Sequence, residues 1–230
     1  MDAFALINAS SISAYHIDLG TLEGHLVAVD GNPVRKMHGR RFPIAVSQRL
    51  DIVLSIPKTA AAYPVLAVLE GDRKQTGIVL LAGKGQVPRL SGLAKAASPP
   101  LTLDLECSLR AVTPLAERKA DRTHVVNLTG AMQNYQWDVP PLMVAEGERV
   151  ELVLANQTVM PHPMHLHGHS FQVVEINGDR FAGAVRDSVL VPPKTTVVVA
   201  FDADNPGWWA FHCHLLYHQH AGMFTTLRYV

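Results

Sequence analysis

His212-Cys213-His214-Leu215-Leu216-Tyr217-His218-Gln219-His220-Ala221-Gly222-Met223 follows directly on the apolar run Trp208–His212. Such a run reads as a strand, and successive side chains of a strand point to opposite faces. His212 and His214 then share one face, and Cys213 points to the other. His218 stands five residues after the cysteine and Met223 ten after it. A loop that leaves the strand and curls back brings Cys213, His218 and Met223 to one point. Upstream lies a second dense segment, His162-Pro163-Met164-His165-Leu166-His167-Gly168-His169. The two segments hold eight of the twelve histidines. A tag or a run of surface histidines is the plainer explanation, but these residues are interleaved with apolar ones inside strand texture.

Histidine is the commonest metal ligand. Two histidines and a thiolate with a long axial thioether describe a blue-copper site, and His162, Cys213, His218 and Met223 supply that set. Zinc takes four strong ligands in a tetrahedron and has no use for a weak thioether. His165, His167, His212 and His214 remain as two His-x-His pairs on the other side of the cysteine strand. Four imidazoles at two-residue spacing suggest a multinuclear centre, joined to the first site through the Cys–His peptide bonds.

Outward from these segments the chain is short strands and turns. Leu26–Val29, Leu50–Ile56, Val65–Leu69, Ile78–Leu81, Val125–Leu128, Val150–Leu154, Phe171–Ile176, Val185–Val191, Thr196–Phe201 and Trp208–His212 are apolar runs punctuated by Gly, Pro, Asn and Asp. Their spacing predicts a β-sandwich or barrel. No window keeps a 3.6-residue apolar period, so little helix is expected. The 230 residues are 48% hydrophobic and 17% charged, enough to bury a core. Lys+Arg and Asp+Glu are 20 each, and this zero balance disfavours nucleic acid and anionic membranes as partners. The longest apolar stretches, such as 77–83 and 197–201, are too short to span a bilayer. Two cysteines, Cys107 and Cys213, exclude a disulfide framework. Residues 91–122 change character, with Leu93–Pro100 and the charged stretch Glu117–Arg122 reading as a surface linker. The expected division is 1–92, a linker 93–122, and 123–230.

The pair His-Pro-x-His-Leu-His-Gly-His and His-Cys-His-x-x-x-His-x-x-x-x-Met, in this order, resembles the two C-terminal copper motifs of the multicopper oxidases, which include the laccases. The resemblance implies an all-β fold of two cupredoxin-like Greek-key β-sandwich domains. Residues 123–230 resemble the whole third domain of such enzymes. Residues 3–90, with His25–Pro33 and Gln48–Leu54, resemble most of the second, expected to be incomplete at its N-terminus. The cofactor implied is copper. Type 1 copper falls to His162, Cys213, His218 and Met223, type 2 to His165, and the type 3 pair to His167, His212 and His214. Cys213, His212 and His214 carry the electron path and so the catalysis. The resemblance also implies two further His-x-His motifs from a first domain. This chain has none outside its two segments, so a missing first cupredoxin domain, or another chain, is expected to supply them.

The expected function is a laccase-type oxidoreductase, with a phenolic or other aromatic reductant and dioxygen as partners. The scattered methionines, with no Met-rich insert, tilt the donor towards phenols. Two rivals stand beside it: a blue-copper electron-transfer or copper-binding module without oxygen chemistry, and a fragment that keeps only the fold. The opening Met1-Asp2-Ala3-Phe4 lacks the basic and apolar regions of a signal peptide, while the resemblance implies a periplasmic or secreted parent protein. His25 and His38 are expected to be loop or hydrogen-bonded residues. Cys107, in the alternating run Leu101–Cys107, is expected to be half-buried, and Trp208 and Trp209 to pack in core and interface. Asn8, Asn127 and Asn156 each begin a glycosylation acceptor pattern.

Overall fold

The computed structural model describes residues 2–59, 61–130 and 140–230. Its first half is a sandwich of eight strands: β1 (Asp2–Ile7), β2 (Tyr15–Asp18), β3 (Gly24–Val29), β4 (Asn32–Gly39), β5 (Arg41–Ile44), β6 (Arg49–Leu54), β7 (Ala61–Leu69) and β8 (Gln75–Ala82). One sheet runs β1-β6-β3-β4 and the other β5-β2-β7-β8. The alternation in β6 shows why they close on each other: Leu50, Ile52 and Leu54 are buried, and the residues between them are not. They meet Leu26, Phe42 and Ile44 in one core. The β3–β4 hairpin turns at Asp30 and Gly31, both at positive φ (49° and 80°). Two left-handed residues in a two-residue loop match the strand twist, and Asp-Gly is suited to that geometry.

A short helix, α1 (Asp104–Ser108), leads into the second sandwich. Its strands are β9 (Arg122–Leu128), β10 (Leu142–Val144), β11 (Arg149–Asn156), β12 (His162–Leu166), β13 (Phe171–Ile176), β14 (Asp179–Arg180), β15 (Val185–Arg186), β16 (Ser188–Val191), β17 (Thr196–Asp202), β18 (Trp208–Cys213) and β19 (Phe224–Tyr229), with α2 (Leu216–His220) between the last two. One sheet is β14-β13-β17-β11-β9, with β15 also on β13, and the other is β10-β19-β18-β12-β16. Val150, Leu152 and Leu154 from β11 pack with Phe171, Phe201 and Phe211 between them. No helix among the described residues is long and apolar enough to cross a membrane.

Several expectations change here. The run Val185–Val191 is two strands: β15 pairs with β13 in one sheet, and β16 pairs with β12 in the other. The chain crosses between sheets at Asp187. The alternating run Leu101–Cys107 is not a strand. Its backbone bonds locally, Cys107 N–H to the Leu103 carbonyl and Leu109 N–H to that of Leu105, and the chain meets the edge of β4 only afterwards, at Ala111 opposite Val34. Cys107 is exposed rather than half-buried. Trp208 is 71% exposed, stacked under the Arg228 guanidinium, while Trp209 packs against the core. Asn8 and Asn156 are buried with bonded amides, so of the three acceptor asparagines only Asn127 faces solvent. His25 and His38 sit opposite each other on β3 and β4, exposed, with His38 on Glu23.

The halves are not merely tethered. Val46 belongs to the second core and Ala184 to the first. Within the 93–122 segment, Leu101 joins Ala45 and Leu190 in a third cluster between them. Polar contacts concentrate at residues 186–188. Arg186 reaches Asp30 and Glu106, Asp187 takes both Arg49 amines at 2.6 Å, and Ser188 meets Ser47.

Candidate metal centre

The register of β12 on β18 brings the two histidine segments side by side: Met164 lies opposite Cys213, His165 opposite His212, and Leu166 opposite Phe211. Pleating then sorts the side chains as the sequence pattern requires. Cys213 is fully buried on the core side, and His212 turns the other way.

On the core side, His162, Cys213 and His218 form one group, all buried. The Nδ1 atoms of the two imidazoles are 3.0 Å apart, and the Cys213 sulfur is 3.7 Å from that of His162 and 3.5 Å from that of His218. With bonds of roughly 2.0–2.3 Å to imidazole and thiolate, trigonal ligand edges come to about 3.5–3.7 Å; the two nitrogen–sulfur edges match and the nitrogen–nitrogen edge is shorter, a triangle that one ion can fill. Among the described residues no fourth histidine, thiolate or carboxylate joins the group. That donor set suits copper rather than structural zinc. His218 is carried by α2, a short helix where the sequence pattern gives only a loop. Met223 is fully buried; its carbonyl accepts the Cys213 N–H (3.0 Å) and its own N–H donates to the His218 carbonyl (2.9 Å). The return of the chain thus ties Met223 to both ligands.

On the opposite side four imidazoles converge. The His165 ring centroid is 4.7 Å from that of His167 and 5.6 Å from those of His212 and His214. His165 donates Nδ1–H to the Asp187 carbonyl (2.7 Å), and His212 donates Nδ1–H to the Cys213 carbonyl (3.0 Å). Both therefore turn a free Nε2 inward, and the His212 Nε2 lies 3.0 Å from that of His167. Such second-side bonds fix the tautomer of a ligating histidine. The two groups use opposite ring nitrogens, Nδ1 on the core side and Nε2 on the other.

Burial sets the protonation states. It lowers His162 to about 3 and His212 to about 4, and lowers His167, His214 and His218 as well. Neutral imidazole is the form that binds metal. Burial also pushes the Cys213 thiol up to about 12, so without an ion it stays protonated.

All eight residues expected to bind metal fall in these two groups or, for Met223, directly beside one. Three supporting residues, Asp187, Arg49 and Thr158, carry little signal in the sequence. Asp187, held by Arg49, braces His165; the signal of Asp187 was a charged pair, Arg186-Asp187, inside an apolar run, and Arg49 had none of its own. Thr158, 2.7 Å from His162 Nε2, was visible only as part of an acceptor pattern on Asn156. His169 bonds the Tyr229 hydroxyl at 2.6 Å and belongs to neither group.

The family model described as multicopper oxidase matches residues 111–230. The multicopper oxidase MmcO of Mycobacterium tuberculosis is 33% identical over 98% of this chain and 45% of its own length. A copper resistance protein A homolog of Pseudomonas syringae pv. tomato is 39% identical over 48% of this chain and 20% of its own. In fold, a variant of the laccase from B. aclada superposes with a TM-score of 0.80 at 21% identity, covering 98% of this chain and 51% of that one. The chain spans about half the length of MmcO. With the cysteine strand, its flanking imidazoles and these likenesses in agreement, copper is the cofactor and the chain belongs to the multicopper oxidase family.

Proposed function

We propose that this chain is the copper-carrying part of a laccase-type oxidoreductase, which takes single electrons from phenolic or other aromatic donors and delivers them to dioxygen. The register of β12 on β18 supports this reading, because a buried His–Cys–His group and a cluster of four imidazole rings lie on opposite sides of one strand. His162, Cys213, His218 and Met223 hold type 1 copper, His165 type 2, and His167, His212 and His214 the type 3 pair. Bound copper supplies one-electron redox chemistry. Cys213 is the joint: its backbone is continuous with His212 and His214, so an electron delivered at its sulfur has a short covalent route to both rings. On α2, the exposed side chains of Leu216 and Tyr217 flank His218 and offer an aromatic donor an apolar approach. Residues 1–92 act as the second cupredoxin-like domain, 93–122 as the connection and 123–230 as the third. The parent protein works in the periplasm or outside the cell.

A blue-copper electron-transfer module is the second reading. It is favoured by the four imidazoles on the far side, half the set the family resemblance implies. One experiment separates the two. The copper-loaded chain is expected to be intensely blue, and Cys213→Ser to be colourless with the fold kept. Dioxygen uptake with a phenolic donor should appear only when a domain carrying two His-x-His motifs is added. A colourless wild-type chain with Cys213 reduced and accessible overturns the ligand set. Full four-copper loading and oxygen reduction by the lone chain overturn the need for further ligands.

A further inference from the structure

We propose that Thr158 is a positioning residue for the copper centre, holding His162 by its outer nitrogen so that the Nδ1 lone pair faces Cys213 and His218. The proposal rests on the reading of that trio as type 1 ligands. Thr158 is buried, and its Oγ1 lies 2.7 Å from His162 Nε2. A hydroxyl has one proton and two lone pairs, so the direction of each bond matters.

That direction is set from Asn156, the last residue of β11. Its Nδ2 spends both hydrogens, one on the Met160 carbonyl (2.8 Å) and one on the Val191 carbonyl (2.9 Å). These two carbonyls settle which amide atom is nitrogen. Its Oδ1 is then an acceptor only; it takes the Thr158 N–H at 2.9 Å and faces the Thr158 hydroxyl at 2.8 Å. The hydroxyl proton goes to this oxygen, with the Met160 carbonyl a further acceptor at 3.1 Å. Its lone pairs are left for the Met160 N–H (3.2 Å) and for His162. His162 therefore carries its single proton on Nε2, and its Nδ1 presents a lone pair 3.7 Å from the Cys213 sulfur.

The chain of bonds runs from the β16 backbone at Val191, through Asn156 and Thr158, to the ligand. It selects the tautomer before any metal arrives, which is what an outer partner of a ligating histidine does. Thr158 touches no metal itself. The neighbouring ligand His218 belongs to a different element, so the device acts on His162 alone.

The test uses the full chain. In the metal-free protein labelled with ¹⁵N-histidine, two-bond ¹H–¹⁵N correlations should show His162 protonated at Nε2. Thr158→Val keeps the shape and removes the hydroxyl. It should give a mixture of tautomers and weaken Cu(II) binding at the blue site about 10- to 100-fold. Thr158→Ser should restore both. A wild-type His162 protonated at Nδ1 overturns the proposal even if Thr158→Val fails to fold. A blue wild-type chain whose Thr158→Val variant has the same affinity and tautomer overturns it while leaving the ligand set standing. A wild-type chain that stays colourless with copper overturns the ligand set and this proposal with it.

Discussion

Met223 shows how much one side chain is asked to do. A thioether donates weakly to copper and stabilises the oxidised ion, and axial ligand identity is one of the levers on blue-copper potential. Met223→Leu removes the proposed donor at nearly constant volume, so the core should lose less than about 1.5 kcal/mol. The type 1 potential should rise while the blue colour stays; redox titration of that absorption checks this, and an unchanged or lower potential removes Met223 from the site. The histidines make a second prediction for the metal-free chain. An unfolded imidazole titrates near 6.5, whereas His162 titrates at about 3 and His212 at about 4 in the fold. Between those values the unfolded state binds more protons, so their contribution to stability is complete above about pH 6.5 and is lost as pH falls towards 4 and below. Urea titrations of the metal-free chain at pH 7.5 and 5 should show the lower midpoint at pH 5. Equal midpoints would mean these rings are not held neutral by the fold.

At the scale of elements, the ligand geometry depends on the turn that ends β12. Gly168 sits at φ +71° between His167 and His169, and a Cβ there would come within 2.2 Å of the Trp209 ring. Both the left-handed backbone and the indole forbid a side chain. Gly168→Ala should cost about 1–3 kcal/mol through overpacking, with added backbone strain. Its urea midpoint should drop at unchanged slope; an unaltered midpoint would show that the turn and Trp209 adjust freely. The apolar runs that marked most strands were legible because nearly all bury one face or both; β8, with Ile78 and Leu81 half exposed, buries neither. The division of Val185–Val191 at Asp187 was not, since a strand that changes sheets keeps its apolar texture on both sides of the change. Helix α2 was hidden for another reason: five residues are too few to display a period.

Over the whole molecule, the two sandwiches are locked through Arg186, Asp30 and Glu106, all buried. Burial raises the Glu106 carboxyl above the ordinary carboxylate range, and the Arg186 guanidinium opposes that. Removing one member of a buried ionic group strands the others, which typically costs about 3–5 kcal/mol. Arg186→Met should destabilise by that amount, and adding Asp30→Asn and Glu106→Gln should recover part of it. Denaturant melts of the single and triple variants decide this. A single variant as stable as wild type would mean that the halves do not depend on the lock. Next to it, Arg49 on the first sandwich grips Asp187, whose carbonyl holds His165. The first sandwich thus helps to orient His165, a proposed copper ligand, in the second.

By itself the sequence determined which residues are candidate donors and the sidedness of the cysteine strand. Candidate donors are read locally: in a strand, a cysteine between two histidines at period two faces away from both. It also determined the class of fold, through alternation and turn residues such as Asp30-Gly31. Only the tertiary structure decided that His162 meets Cys213 and His218, because that contact depends on the register of β12 against β18, residues about fifty apart in the chain. It alone decided which ring nitrogen His162 and His165 present, because their outer partners Thr158 and Asp187 come from turns between strands. The linker was the plainest case. Its charged and Pro-rich texture reads as solvent-exposed from composition, yet Leu101 and Glu106 are buried between the sandwiches and Leu109 in the core of the first, since burial is settled by what a segment packs against and not by its own composition.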